Sequence, residues 1–407
     1  MLFFLFFLFF LLFPVLYFIP GFLALLYKNK NYIIFVLLIS VSISVPILRF
    51  YLYLTDDASR HFYAAFRFSL YNNFYDIWDF VKSNNNGLSY DYYNYPIYTF
   101  ILYLFSGSYN YSLISFIFSI LVYFCFIYPL VDLYNKSHLN KYVYGLGLLA
   151  IIFSNNFRYT TSGMRYCAIV AIIFLLIYLD SKNNFNNKKF IPLYFIPVLI
   201  HQSAILYFIL RLFYSILKKN NIMIFLLIIL SYPLIINGLY IIDDFVNIAY
   251  LEKIIDKISV YESNDAYAEF FTFTLKARIY LSIILSILYI KIYYSFGRFY
   301  VGENKSFIDF TLYVTLLNIS MIPYQNLIDR NVFLLIPCII LSMLLIIKEP
   351  NFNKYNNRIV IYIVFFVLLL TGIVYNRNYP FALLDYNKYE LITSNLIDYF
   401  TNLPIYI

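Results

Sequence analysis

Apolar positions in this chain come in long unbroken runs. The chain opens MLFFLFFLFFLLFPVLYFIPGFLALLY, and similar stretches of Ile, Leu, Phe and Tyr recur along its length. A run of about 20 apolar residues is what an α-helix needs to cross a bilayer core. In hydrocarbon every backbone polar group must be satisfied within its own segment, so such runs read as helices. A membrane β-barrel would instead show segments of about 10 residues that alternate in polarity, and these are missing. The first run has neither a basic leading region nor a small-residue cleavage site and reads as a retained span.

Polar residues between the runs set the topology. Basic loops fall on alternate connections: Lys28 and Lys30; Lys136 and Lys141; Lys182, Lys188 and Lys189; Lys218 and Lys219; Arg298 and Lys305; Lys348, Lys354 and Arg358. Short basic loops stay cytoplasmic. The expected architecture is therefore an all-α polytopic integral membrane protein of roughly twelve transmembrane helices, the span length setting the count. It forms one transmembrane domain over 1–407, with both termini outside. The first external loop is 55–110, the second is 241–274, and a tail follows residue 375. Two places break the pattern. Residues 96–106 are apolar but too short to span, and read as an interfacial or re-entrant helix. The stretch IPLYFIPVLIHQSAILYFILRLFY reads as two short helices meeting at an external tip near His201. No internal repeat marks the chain, so the inverted-repeat signature of many transporters is missing.

Composition agrees with the pattern: 63% of the 407 residues are hydrophobic and 12% charged. Soluble domains are about half apolar and a quarter charged. The net charge of +8 comes from lysines in short loops, so it reports orientation and calls for no nucleic-acid partner. Cys125, Cys167 and Cys338 lie in apolar runs without CxxC spacing, which excludes a disulfide framework or zinc site. Without a Walker loop or GxGxxG, nothing here drives an ATP-dependent transporter. HExxH and His/Cys clusters are missing too, and no metal or cofactor is expected. The excess of Asn, Lys, Ile, Tyr and Phe resembles the imprint of an A/T-rich, bacterial genome.

The remaining charges matter most, because an ionisable group at mid-membrane costs at least about 2.5–3.5 kcal/mol. In TDDASRHFYAAF, Asp56, Asp57, Arg60 and His61 fall within two turns at the external face. A carboxylate there can take a proton from a sugar hydroxyl or hold a cation; it can also be an ordinary helix cap with a surface ion pair. In NNFRYTTSGMRYCAIVAIIFLLIYLD, Arg165 opens an otherwise apolar span and Arg158 stands two turns earlier. Guanidinium groups grip phosphate oxygens at two points, and at the outer face the ligand of that kind is a lipid-linked pyrophosphate. Snorkelling to headgroups is the plainer alternative. His201 at its tip can serve as a base, a pyrophosphate ligand or a packed polar group. Asp329 and Arg330 enter a late span together in NLIDRNVF, where a pairing at a helix start competes with a functional role.

Taken in order, TDDASRHFYAAF, SGMRYCAIVAI, LIHQSAI and IDRNVFLLIPCII resemble the EpsG-like family of bacterial polysaccharide polymerases, related in role to Wzy O-antigen polymerases. The resemblance covers roughly residues 30–350. It implies a fold like the GT-C glycosyltransferases in the bacterial inner membrane. The implied activity joins undecaprenyl-pyrophosphate-linked oligosaccharide repeats into O-antigen or a similar polymer on the outer face. The implied partners are that lipid-linked oligosaccharide, membrane lipids, a chain-length regulator and a flippase. By position, Asp57 or Asp56 matches the family's loop acid, Arg165 the helix-opening arginine, His201 the tip histidine and Arg330 the late arginine; DDAS replaces the expected Gly and Asp. The expected site is thus Asp57, Asp56 and His201 for catalysis, with Arg60, Arg158, Arg165 and Arg330 on the pyrophosphate. Two other classes compete. One is a lipid-linked oligosaccharide flippase or other secondary transporter, which needs charges at several depths. The other is a GT-C glycosyltransferase using a polyprenyl-phosphate sugar.

Overall fold

A computed structural model describes residues 2–46, 57–83, 88, 92–108, 111–137, 139–155, 160, 163–217, 273–302, 304–322, 325–348 and 358–376. Asp56, Arg158, nearly all of the expected 241–274 loop and the tail beyond residue 376 lie outside the described residues. Among the described residues the protein is all-helical, with no strand. In chain order the helices are α1 (Leu2–Leu12), α2 (Phe18–Leu26), α3 (Tyr32–Ser44), α4 (Asp57–Phe68), α5 (Phe74–Lys82), α6 (Pro96–Leu104), α7 (Ser112–Asn135) and α8 (Lys141–Ser154). They continue with α9 (Met164–Ser181), α10 (Phe190–Phe195), α11 (Ile205–Leu217), α12 (Phe273–Ser295), α13 (Lys305–Ser320), α14 (Gln325–Ile346) and α15 (Arg358–Asn376). Four of them, α7, α9, α12 and α14, are long and apolar enough to cross a membrane. The protein is a membrane protein. Helix α6 is a nine-residue apolar helix opened by Pro96, too short to span.

Two compact units divide the chain. The first comprises Met1–Leu176, Lys189–Phe208 and Tyr362–Ile407; the second comprises Ile177–Lys188 and Ile209–Ile361. In the first, α3 runs along α7. Asp132, near the end of α7, is buried, accepts from Tyr32 Oη at 2.7 Å and pairs with Lys136 at 2.8 Å. A buried carboxylate is tolerable only when paired and hydrogen-bonded in this way. Tyr134 stacks on Tyr144 at 3.9 Å with the rings 1° from parallel, and its hydroxyl donates to the carbonyl of Leu26. Helix α15 approaches α8 closely at Gly372, where a Cβ would lie 2.2 Å from the carbonyl oxygen of Phe153. One turn on, Asn376 donates to the carbonyls of Phe153 and Asn155.

In the second unit α12, α13 and α14 pack on one another. Outward-facing Tyr280, Ile284 and Ile287 of α12 remain exposed, at the helical spacing of a lipid-facing stripe. The inward face is polar at several levels. Arg278 lies 3.7 Å from Asp329 and over the ring of Phe333 at 4.1 Å. Asn331 donates to Asn318 at 3.1 Å, and Asn318 donates to Ser286 and Ser282 at 3.2 and 3.4 Å. Further along, Ser342 donates to Thr311, and Tyr293 donates to Asp309, which Lys305 also meets at 2.8 Å. A second buried pair closes the turn after α9. Arg211 meets Asp180 at 2.5 Å and donates to the carbonyl of Phe185 at 2.8 Å. That turn places Asn184 and Phe185 at φ of 53° and 56°, a conformation a bulky residue holds only when its surroundings impose it. Phe185 is wedged between Tyr214 and Phe310, and Asn184 accepts from Ser306.

Candidate functional site

Three of the four stretches singled out in the sequence converge within the first unit. Helix α4 is sharply two-sided: Ala58, His61, Ala64, Ala65 and Phe68 face inward, while Asp57 and Arg60 face out. Aspartate and arginine approach only to 3.9 Å, with side chains 49% and 42% exposed. This is the surface pair that the i,i+3 spacing allows. His61 on the other face is 2% exposed. Its Nδ1 lies 2.8 Å from the hydroxyl of Tyr92, which in turn donates to the carbonyl of Arg60 at 3.4 Å.

Tyr92 sits in a single 3-10 turn, Tyr92–Asn94, that leads into α6. Thr99, one turn into α6, donates from its hydroxyl to the Tyr92 carbonyl at 2.7 Å and pins the turn on the helix. Pro96 at the first helical position fixes where α6 begins. Tyr92, Tyr95 and Tyr98 are therefore held on the buried side of this corner.

Arg165 is the second residue of α9 and only 8% exposed. A cation in the first turn opposes the helix dipole. The guanidinium lies over the rings of Tyr95 and Tyr98, at 4.6 and 5.0 Å from their centroids, where ring quadrupoles attract it. His201 lies where the sequence puts the tip, with an extended backbone at the break between two 3-10 turns. It caps the second turn itself: Nδ1 accepts from the Ser203 amide at 3.3 Å and lies 2.8 Å from the Ser203 hydroxyl. Accepting from an amide puts the lone pair on Nδ1, so Nε2 carries the ring proton. The imidazole stacks on Tyr95 and meets Tyr166 edge-on.

The result is a row: His201, Tyr95, Arg165, Tyr98, His61, Tyr92. Tyr95 touches both His201 and Arg165, and Tyr98 touches both Arg165 and His61. Burial, and then the neighbouring Arg165, His201 and Arg60, hold His61 well below the ordinary histidine range. It is neutral at pH 7. Next to this row is an apolar groove of about 550 Å³, lined by Phe74, Tyr75 and Trp78 of α5, Pro96, Ile97 and Phe100 of α6, and Leu199. Four of these residues lie within three positions of Tyr95, Tyr98 or His201 in the chain.

The structure thus brings Arg165 and His201 together and sets Asp57 and Arg60 on the exposed side of the helix that delivers His61. Arg330 lies half-buried on α14, in the second unit, beside the Asp329 that meets Arg278. No family model, curated protein or solved structure matches this chain. The site therefore has to be read from its own chemistry. A buried guanidinium at a helix N-terminus suits an anion. Tyrosine faces suit the apolar faces of sugars, and the groove suits a hydrocarbon chain.

The sequence marks His61 only as one polar residue among four. The helical spacing of His61 with Ala58, Ala65 and Phe68 was the signal that it turns inward. Nothing in the sequence paired Tyr95 and Tyr98 with Arg165, because that contact joins segments about 70 residues apart.

Proposed function

We propose that this chain is a glycosyltransferase that joins lipid-pyrophosphate-linked oligosaccharide repeats into a surface polysaccharide. The observation that carries the reading is the row from His201 to Tyr92 beside an apolar groove in one compact unit. Such a site offers a cation for the pyrophosphate, aromatic faces for sugar and an apolar groove for the lipid. The growing chain on its lipid pyrophosphate is the donor, and a hydroxyl of the incoming repeat is the acceptor. The acceptor oxygen bonds to the anomeric carbon as the bond from that carbon to the phosphate oxygen breaks. The electron pair leaves on the pyrophosphate, where Arg165 meets the growing charge. Asp57, on the accessible side of α4, takes the acceptor proton. His201 presents its Nε2–H as a donor, and Arg60 is a further phosphate contact. On this reading the full chain has about twelve spans, a GT-C-like fold, and a place in the bacterial inner membrane with the site on its outer face. A GT-C enzyme using a polyprenyl-phosphate sugar would employ the same groups.

One observation favours a second reading. The inward face of α12–α14 carries polar groups at several depths, as a lipid-linked oligosaccharide transporter requires. Deletion of the chain separates the two. Loss of a polymerase leaves surface glycan capped by a single repeat unit, whereas loss of a transporter removes even the single-repeat band. Disappearance of every band on a glycan gel would overturn the polymerase.

A further inference from the structure

Away from the row, the far end of α4 carries an arginine set in an apolar surface. Tyr63, Phe66 and Arg67 stand at i, i+3 and i+4 and share one side of the helix. Leu70 follows at i+7, in the turn that closes it. Tyr63, Phe66 and Leu70 are 46%, 43% and 66% exposed. Arg67 is half-buried among them, its guanidinium 5.9 Å from the ring centroid of Tyr63 and 5.3 Å from that of Phe80 on α5. Phe80 is held in turn by Tyr71, at 5.1 Å. Nη1 of Arg67 donates to the exposed Tyr63 hydroxyl at 3.1 Å, whereas Nε is buried and donates to nothing among the described residues. No carboxylate among the described residues pairs with this guanidinium. Asp76, one turn before Phe80 on α5, accepts from Asn73 at 2.9 Å instead. We propose that this surface binds one anionic phospholipid of the surrounding bilayer, with its phosphate on Arg67 and an acyl chain along Phe66 and Leu70.

A plainer task for a basic residue in the last turn of a helix is to cap the closing carbonyls. Those of Ala65, Phe66, Arg67 and Phe68 are already taken. They accept from the Ser69 amide, the Ser69 hydroxyl, and the amides of Leu70 and Tyr71. The helix dipole still favours the charge, but the fork of donors has no part in the cap. Free snorkelling is restricted as well, because two ring faces hold the guanidinium beside the helix. A cation fixed in an apolar surface that faces lipid is costly unless an anion comes to it. A phospholipid supplies both complements in one molecule. Its phosphate oxygens take charge-assisted hydrogen bonds from the guanidinium, and its acyl chain covers the apolar side chains. A net negative headgroup fits best, because a zwitterionic one brings an ammonium that offsets the phosphate. The rings already hold the guanidinium in place, which lowers the ordering cost of binding. This site is separate from Arg165 and does not rest on the polymerase reading.

The test is native mass spectrometry of the full chain, stripped of lipid in an uncharged detergent. It is titrated with phosphatidylglycerol, with diacylglycerol of the same chains, or with inorganic phosphate. Phosphatidylglycerol should bind the unaltered protein more tightly than either of its parts. Arg67→Gln should weaken the first phosphatidylglycerol bound by about tenfold, the loss of one charge-assisted hydrogen bond. Lys291→Gln removes the same charge from an exposed site on α12 and should leave that affinity unchanged. If Arg67→Gln does not fold, Arg67→Lys keeps the charge without the fork and should show a smaller loss in the same direction. Equal affinity in the arginine variant and the unaltered protein, or an equal loss in Lys291→Gln, overturns the headgroup site. Diacylglycerol binding as tightly as phosphatidylglycerol makes the surface a plain apolar face. Inorganic phosphate binding as tightly makes Arg67 a free-phosphate site. Either result overturns the proposal.

Discussion

The two units treat buried arginine in opposite ways. In the second unit Arg211 meets a carboxylate at 2.5 Å and a backbone carbonyl at 2.8 Å, and Arg278 faces Asp329 at 3.7 Å. In the first unit the guanidinium of Arg165 lies over two tyrosine rings and shares its corner with a neutral histidine. A carboxylate cancels a cation's field, whereas a ring face stabilises the cation and leaves most of its field intact. The first arrangement locks helices together. The second sets the cation against aromatic faces. On the proposed reading, this contrast distinguishes the arginines that brace helices from the one that meets a ligand.

The strongest way to break the comparison is to attack the locked pair. Asp180 and Arg211 are both buried. Asp180→Ala leaves a buried guanidinium opposite a methyl group, at a cost of about 3–5 kcal/mol. Thermal unfolding in detergent should show a large fall in midpoint, and membrane abundance should drop. Replacing the pair together, as Asp180→Leu with Arg211→Met, should recover most of the loss because neither charge then remains to be desolvated. A single variant as stable as the wild type would mean that the pair is not what closes the turn at Phe185.

Arg165→Lys sharpens the same comparison from the other side. Lysine keeps the charge and can still reach headgroups, but loses the planar fork and the flat stacking on Tyr95 and Tyr98. If the first unit's arginine serves a ligand, polymer turnover should fall by about 10²-fold, as on removal of one oxyanion donor, with membrane abundance near normal. Full-length polymer from a normally abundant variant would return Arg165 to the class of helix anchors.

What could be read in the sequence follows from the range of each interaction. Helix class, the helix-opening place of Arg165, the short helix from Pro96 and the broken pair of helices at His201 all come from local patterns: apolar runs, prolines and charge at a run's end. They stand in the structure where the residues put them. The contacts of His61 and the tyrosine row join α4, α6, α9 and the tip, and no local pattern encodes these. The same holds for Asp329. Its pairing with Arg330 in sequence suggested an ion pair at a helix start, yet it meets Arg278 of α12 instead. Adjacent residues on a helix point about 100° apart, so Asp329 turns into the bundle and Arg330 aside.

The smallest expected effect tests the polar face of the second unit. Asn318 donates to Ser286 and Ser282 and accepts from Asn331, joining α12, α13 and α14. Interhelical hydrogen bonds in membranes contribute about 0.6 kcal/mol on average and reach about 1.7. Asn318→Leu should therefore lower stability by about 1 kcal/mol, a shift of a few degrees in thermal midpoint, and leave polymer length unchanged. The transporter reading expects the reverse. If these polar groups line a route for a hydrophilic cargo, an isobutyl group at their centre blocks it while costing little stability. Polymer would then vanish together with the single-repeat band. A slightly less stable protein that still makes full-length glycan assigns the asparagine–serine network to helix association, and leaves the row around Arg165 to carry the chemistry.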